Sequence, residues 1–195
     1  FTASQIHRLL GKSNAKGELL KMTKQSIENY AMEKAGEMYF GLPEEEEYLS
    51  KDMQRGIDLE PHAFARFSRK MNFQFIDVFE SPFIEIDKNS GASPDGKLSN
   101  GDNLEIKCPN LDTFRKFVIT EKIKPQYFAQ MQMQMLASGA ERTHFFNYLI
   151  HNGEEYSHTI IVERCEETIL LIKERIELAS ALRDDFFQTL KNVVK

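Results

Sequence analysis

The sequence predicts one domain over residues 1–195, of the mixed α/β (α+β) class, with a central twisted mixed sheet flanked by helices. A length of 195 residues fits one domain with a sizeable core. Apolar residues recur at helical spacing at both ends of the chain, whereas strand-like patterns occupy its middle. Helices, a run of strands, a helical pair, a strand pair and a final helix therefore follow one another, which is an order typical of this class.

The first third of the chain is predicted to be helical. Helical spacing of apolar residues extends over residues 1–10, 23–40 and 44–70, with a loop at 12–18. Thr2 or Ser4 can cap the first helix, and Gly11 ends it. Gly56 and Pro61 are weak interruptions, so the third segment is expected as one helix or two.

The middle of the chain is predicted to supply the sheet. Strand patterns occur over residues 73–79, 83–86, 92–98, 103–108, 143–151 and 156–163. The third and fourth form a hairpin through the Ser-Asn-Gly-Asp turn at 99–102, and the last two form a second hairpin around Asn152 and Gly153. Helices are expected over residues 112–119, 126–138 and 166–192.

Composition excludes several classes of protein. The chain has 41% hydrophobic residues and contains no apolar run long enough to span a membrane. No secretory signal is visible at its start. Two cysteines, Cys108 and Cys165, form neither a disulfide framework nor a four-thiolate metal site. We therefore expect a reducing, cytoplasmic location.

The predicted hairpin over residues 92–108 carries the chemistry. Side chains alternate along a strand, so Glu105 and Lys107 point to one side and Ile106 to the other. The hairpin brings Asp95 alongside Glu105. Two adjacent carboxylates suit Mg²⁺, and a nearby ammonium assists phosphodiester hydrolysis. The alternative is a surface hairpin, in which Asp95 is a turn residue and the Glu105–Lys107 ion pair contributes little.

Pro-Asp at 94–95 followed by Glu-Ile-Lys at 105–107 resembles the PD-(D/E)xK nuclease motif. The wider sequence resembles the lambda exonuclease group, also called YqaJ-type viral recombinases. Four ordered blocks carry this resemblance: Thr-Ala-Ser at 2–4, Gly-Ile-Asp-Leu-Glu-Pro at 56–61, the hairpin residues at 93–96 and 104–109, and Tyr-Phe-Ala-Gln-Met-Gln at 127–132. The resemblance implies the restriction-endonuclease-like fold.

The resemblance also implies a metal site. Asp95 and Glu105 would be ligands of Mg²⁺, which Mn²⁺ could replace, and the backbone carbonyl of Ile106 would be a third ligand. Glu60 would complete the metal site or hold water. Lys107 would orient or deprotonate the water, or offset charge in the transition state, and the sequence leaves this choice open.

Further residues would contact DNA. By resemblance, Gln130 lies at the site, and Ser4 and Ser93 position phosphates. Two alternatives stay open, because Ser4 is equally suited to cap a helix and Gln130 is one of several glutamines on its helix. Tyr127 is expected to pack in the core with its hydroxyl satisfied.

The implied function is a metal-dependent exonuclease. It would digest duplex DNA from 5′ ends and leave 3′ overhangs for a single-strand annealing partner, and the family's ring-shaped trimer carries over only by resemblance. Two alternatives remain, a structure- or site-specific endonuclease on the same fold and a catalytically inactive DNA-binding module.

The charge pattern predicts where the DNA lies. The net charge of −5 argues against nucleic-acid binding driven by overall charge, so a local patch is needed. Residues 1–24 and 105–125 are net basic, and we expect both segments to flank the site and contact phosphates. Residues 25–60 carry ten acidic and three basic groups, and are expected to face away except at Glu60.

Overall fold

The computed structural model of the chain describes residues 1–11, 24–41 and 50–194. After a 3-10 turn at Ala3–Gln5, the helices are α1 His7–Leu10, α2 Lys24–Phe40, α3 Lys51–Asn72, α4 Leu111–Thr120, α5 Pro125–Ser138 and α6 Glu166–Val193. The strands are β1 Val78–Phe79, β2 Ile84–Asp87, β3 Ser90–Ala92, β4 Gly96–Leu98, β5 Asn103–Lys107, β6 Arg142–His151 and β7 Glu154–Glu163. The loop predicted at 12–18, and the 44–49 part of the predicted third helix, lie outside the described residues.

The central sheet has five strands in the order β1-β4-β5-β6-β7. Strands β5 and β6 are parallel, and the other pairs are antiparallel. The sheet is therefore mixed, as predicted. Strands β2 and β3 form a separate two-stranded sheet.

The two faces of the central sheet are covered by different helices. Leu104 and Ile106 of β5 pack with Phe67 of α3. On the opposite face, Phe145 of β6 packs with Met131 of α5 and with α4. Helices therefore lie on both sides of the sheet, because alternate residues of each strand point to opposite faces.

A third apolar cluster joins the two ends of the chain. Leu9 of α1, Tyr30 of α2 and Ile172 of α6 pack there, together with Ala129 and Met133 of α5. The predicted helices at 23–40, 112–119, 126–138 and 166–192 and the predicted hairpin around Asn152 are confirmed within one or two residues. None of the described helices is long and apolar enough to cross a membrane.

Helix α3 runs as one piece through Gly56 and Pro61. Its first turn is capped by Ser50, whose hydroxyl accepts a hydrogen bond of 3.2 Å from the backbone N–H of Met53. The residues that it buries, Ala63, Phe67 and Met71, recur every four positions and face the central sheet.

The strand predicted at 73–79 is wrong over most of its length. Only Val78–Phe79 pairs, as β1 with β4. Phe73 and Phe75 are 86% and 97% exposed, and Phe75 has a positive φ of 59°. The segment continues α3 as a turn, in which the backbone N–H of Ile76 donates to the carbonyl of Met71. An alternation of apolar residues therefore does not form a buried strand here.

The strand predicted at 92–98 is two strands, because β3 and β4 belong to different sheets. The Ser-Pro-Asp segment at 93–95 connects them. Gly96 then enters a narrow space between β1 and β5, where an added Cβ would lie 3.1 Å from the Phe64 ring and 3.1 Å from the Phe79 carbonyl. Asp95 therefore lies on the connection between the two sheets and not within a continuous strand.

Candidate active site

Asp95 is fixed beside strand β5 by its backbone and its side chain together. Its N–H donates to the Leu104 carbonyl at 3.0 Å. One carboxylate oxygen, Oδ2, accepts from the backbone N–H of Ile106 at 2.6 Å. The carboxyl group therefore lies next to Glu105, the residue between these two partners, as the hairpin predicted.

Glu105 is fully buried, and each of its oxygens has a partner. The Lys107 ammonium donates to Oε1, forming an ion pair between neighbours on the same face of β5. Gln134 of α5 donates to Oε2 at 2.6 Å. The alternative that Glu105 and Lys107 form a surface ion pair is wrong, because the carboxyl group of Glu105 is 0% exposed.

The carboxyl groups of Asp95 and Glu105 lie close together in a poorly hydrated environment, where two negative charges repel one another. Burial, and then the charge of Glu105, raise the pKa of Asp95 to about 8. Burial alone would lower the pKa of Lys107, but the charges of Glu105 and Asp95 outweigh it and raise that pKa. Only when both carboxyl groups are ionised does the pair have more negative charge than Lys107 alone neutralises, and the raised pKa of Asp95 reflects that cost.

Glu60 faces the same pair from α3. Its charge contributes to the raised pKa of Asp95, and it lies on the walls of two cavities, one containing Lys107 and the other Asp95. The Lys107 cavity, of about 470 Å³, lies between α3, the end of β5 and the first turns of α4 and α5. The Ser93 cavity, of about 410 Å³, contains Asp95 and Ser93. Asp95, Glu105, Lys107 and Glu60 are therefore brought together.

A metal ion would be held by Asp95 and Glu105. Two carboxylates suffice for Mg²⁺, which usually keeps several waters. In the part of the chain that the structure describes, no group of three or more His, Cys, Asp or Glu side chains forms a metal site. The charge of the fully ionised pair, which Lys107 offsets only in part, fits a divalent cation. Ile106 reaches the Lys107 cavity, although no contact assigns its carbonyl a role.

The two serines predicted to contact phosphates lie in different surroundings. Ser93 is exposed in the Ser93 cavity, and its hydroxyl donates to the Ser81 carbonyl at 3.4 Å. Ser4 is exposed within the 3-10 turn. Thr2 lies at the N-cap position of this turn, but its side chain makes no capping hydrogen bond, and Ser4 lies within the turn and does not cap a helix. Ala3 packs with Ala129 of α5, which precedes Gln130.

Gln134, not Gln130, contacts the carboxyl pair. Its Nε2 donates to Glu105 and also to the Ser93 carbonyl, at 3.1 Å. Gln130 lies one helical turn earlier on the same side of α5, half-buried, and makes no side-chain hydrogen bond to another described residue. Gln134 was not identified from the sequence, although its spacing of four from Gln130 was a usable signal.

Tyr127 is only partly a core residue. Its ring packs against Phe145 at 5.9 Å between centroids, and it also lies on the wall of the Lys107 cavity. The ammonium groups of Lys107 and Lys124 lie 5.2 and 5.5 Å from the ring centroid. The predicted packing against the core is therefore confirmed, but the ring also faces two cations at the cavity wall.

The prediction that residues 25–60 face away from the site, except Glu60, is also wrong. Asp52 and Arg55 of α3 line the Lys107 cavity. Arg55 Nη1 donates to Asp52 at 2.6 Å, and Nη2 lies 3.5 Å from the Cys108 carbonyl. Net segment charge misled here because a helix presents only one of its faces to the site.

Comparison with known proteins gives consistent results. A family model described as the YqaJ-like viral recombinase domain matches residues 1–141. The chain is 30% identical to an alkaline exonuclease (LHK-Exo) from Laribacter hongkongensis, with a TM-score of 0.78, over 98% of this chain and 91% of that one. The structure of LHK-Exo in complex with dAMP gives 29% identity and a TM-score of 0.76, with the same coverage.

A phage-related exonuclease from Haemophilus somnus 129PT is 18% identical, with a TM-score of 0.69, over 97% of this chain and 95% of that one. At that identity the likeness supports the fold alone. No curated protein matches the sequence significantly.

Proposed function

The chain belongs to the YqaJ-like viral recombinase family, and from this premise we propose that it is a metal-dependent DNA exonuclease. It hydrolyses duplex DNA from 5′ ends with Mg²⁺, or Mn²⁺ in its place, and leaves 3′ single-stranded overhangs. Membership of this family supports DNA exonuclease activity. The direction of digestion, the metal dependence and the 3′ overhang are our proposals.

The observation that carries the proposal is the Asp95–Glu105 pair beside Lys107. A buried Glu105, a neighbouring carboxyl group with its pKa raised to about 8 and an ammonium on the same strand occur together. Ionisation of both carboxyl groups is unfavourable unless a further cation compensates it, and a divalent metal would do so in place of the proton on Asp95. A divalent metal bound there supplies Lewis-acid stabilisation of phosphate charge and lowers the pKa of water.

The chain's own groups perform the remaining tasks. Gln134 holds Glu105 in one orientation, and the Ile106 N–H holds Asp95. Lys107 reaches the Lys107 cavity, where its ammonium can orient water or offset charge that develops on phosphate. Glu60, on the walls of both cavities, can hold water or complete the metal site.

Ser4, Ser93 and Gln130 are proposed to position the terminal phosphate and its nucleotide. Ser93 supports this by its exposure in the cavity that contains Asp95. The Gln130 amide makes no hydrogen bond to another described residue and lies one helical turn before Gln134, so it can bind a phosphate. Ser4 lies on the turn that packs against α5.

The experiment compares three DNA substrates with Mg²⁺ and with EDTA. Linear duplex with a labelled 5′-phosphate end should lose nucleotides from that end, duplex without the phosphate should react more slowly, and closed circular duplex should stay intact. Asp95→Asn is the matched inactive control. Cleavage of the circle would favour the endonuclease alternative, and binding without metal-dependent cleavage would favour the inactive module.

Three further properties stay predictions. A single-strand annealing protein would use the 3′ overhangs, a ring-shaped trimer would enclose the DNA, and the location would be cytoplasmic. The trimer is checked by measuring molar mass in solution, and the partner by adding candidate annealing proteins to a strand-pairing assay.

A further inference from the structure

The two cavities that Glu60 lines differ in charge. Among the described residues, the Ser93 cavity has the acidic groups Glu60, Glu80 and Asp95 on its wall and no basic group. The wall of the Lys107 cavity has Lys107, Lys124 and Arg55 against two acidic groups. An anionic ligand is therefore favoured on the Lys107 side.

Two buried donors on the wall of the Lys107 cavity have no partner among the residues that the structure describes. Asn147 is 4% exposed, and its Nδ2 makes no hydrogen bond to a described residue. Its β6 position pairs in register with Lys107 of β5, so both side chains point to the same face of the sheet. The Nε of Arg55 is likewise buried without a partner, although its two Nη atoms are held. Buried donors normally have acceptors, so both positions point to a ligand that supplies them.

Lys124 adds an available cation. Its side chain is exposed at the start of α5 and makes no ion pair with another described residue, while its ammonium lies over the Tyr127 ring. A cation with two further donors matches the oxygens of a phosphodiester, which accept hydrogen bonds and carry negative charge.

We propose that the Lys107 cavity binds the first phosphodiester beyond the scissile bond in the digested strand, through Lys124, Asn147 and Arg55. The inference rests on the proposed function, in which the terminal nucleotide lies on the Ser93 side and a metal held by Asp95 would offset the acidic wall there. The digested strand would then continue past Lys107, where the donors lie. Holding that strand would fix the scissile phosphate over the carboxyl pair.

The test couples protein variants to single neutral linkages in the DNA. A 5′-phosphorylated duplex is prepared with one methylphosphonate between nucleotides 2 and 3, and a second with the methylphosphonate between nucleotides 6 and 7. Single-turnover cleavage of the first bond by the wild type gives the half-saturating concentration and the maximal rate for each duplex.

For the wild type, the half-saturating DNA concentration should be about fivefold higher with the 2–3 methylphosphonate, as expected for the loss of one charged contact. Lys124→Ala and Asn147→Ala should each raise the half-saturating concentration of unmodified DNA. The 2–3 methylphosphonate should then raise it by a smaller factor than in the wild type, because one contact to that phosphate is already lost. The 6–7 methylphosphonate should act equally on all enzymes.

Lys122→Ala is the matched control, because it removes the same charge from an exposed position outside the cavity. Its effect should be independent of the 2–3 linkage. If Lys124→Ala and the 2–3 methylphosphonate act additively, the proposed subsite is wrong. Lys124 is exposed, so this arm stays decisive even if Asn147→Ala fails to fold. Failure of the wild type to degrade 5′ ends would instead contradict the proposed function.

Discussion

Gln134 and Glu105 form a buried hydrogen bond of 2.6 Å between helix α5 and strand β5. The same amide nitrogen donates to the Ser93 carbonyl, two residues before Asp95. One side chain thereby connects the two chain segments that carry the carboxyl pair. Because Glu105 is fully buried, its orientation depends on these few contacts.

Replacing Gln134 should therefore weaken metal binding. Gln134→Ala leaves a buried carboxylate oxygen without its donor, and loss of a group that orients a metal ligand typically costs about 10–100-fold in affinity. Titration calorimetry with Mn²⁺ measures this. Gln126→Ala, at an exposed position of the same helix, should bind metal as the wild type does. Equal affinities for the two variants would contradict the role assigned to Gln134.

Gln130→Ala separates the two glutamines. If Gln130 contacts the DNA end, this variant should bind metal normally but need about tenfold more DNA for half-maximal cleavage. A loss of metal affinity comparable to that of Gln134→Ala would instead show that Gln130 helps to position Glu105. Both measurements use the same two assays, so the outcomes are directly comparable.

Asp95→Asn should reduce cleavage by at least about 10³-fold, because it removes a carboxylate that holds the metal while keeping the side chain's size. Duplex binding, followed by fluorescence anisotropy, should persist or strengthen, since one negative charge facing phosphate is lost. Turnover close to that of the wild type would exclude Asp95 as a ligand.

The sequence predicted the hairpin chemistry better than it predicted the surroundings. Asp95, Glu105 and Lys107 were identified because strand alternation and one tight turn determine their relative positions. Gln134 was missed because an amide on a glutamine-rich helix becomes distinctive only when the packing of α5 against β5 is known. Arg55 was misplaced because segment charge does not identify which helical face meets the site.

In the fold too, features that depend on nearby residues were predicted correctly, whereas a feature that depends on distant residues was not. Helix α6 and the β6–β7 hairpin have strong periodic patterns and turn residues, and their predicted bounds were confirmed. The run at 73–79 has strand-like spacing, yet it has no partner strand along most of its length and leaves Phe73 and Phe75 exposed. Pairing depends on distant residues, which single-sequence patterns do not contain.

Lys107→Met should lower the maximal cleavage rate by about 10²-fold or more, because a positioned cation beside the reacting phosphate is lost. Metal affinity should stay the same or increase, since the ammonium no longer competes for Glu105. Calorimetry and single-turnover kinetics separate the two effects. A variant that no longer binds metal would make Lys107 a structural residue.

Two glycines offer a test of the packing around the site. Gly96→Ala should lower the free energy of unfolding by about 1–3 kcal/mol, because its Cβ would press on Phe64 and the Phe79 carbonyl. Gly36→Ala is the matched control, since its Cβ meets nothing within 4 Å in the interior of α2, and it should stabilise by up to about 1 kcal/mol. Urea denaturation measures both, and equal effects would contradict the tight placement of β4.

The raised pKa of Asp95 predicts a specific dependence of stability on pH. Its pKa of about 8 in the folded, metal-free protein lies above the ordinary value of 3.8 expected on unfolding. Between these values the folded state binds the extra proton, so its stabilising effect is complete below about pH 4 and is lost as the pH rises through 8. Relative to Asp95→Asn, which does not titrate, metal-free wild type should lose up to about 1.4 kcal/mol of stability per pH unit within this window.

Metal binding should reverse that loss, because the bound form requires the ionised carboxylate. Mn²⁺ should thus bind more tightly as the pH rises towards 8 and should release close to one proton per ion at pH 7. Calorimetry in buffers of different ionisation enthalpy counts the protons, and denaturation with and without metal gives the stabilities. Metal binding that is independent of pH from 6 to 8, with no proton released, would show that Asp95 is already ionised in the folded protein, contrary to its assigned place beside Glu105.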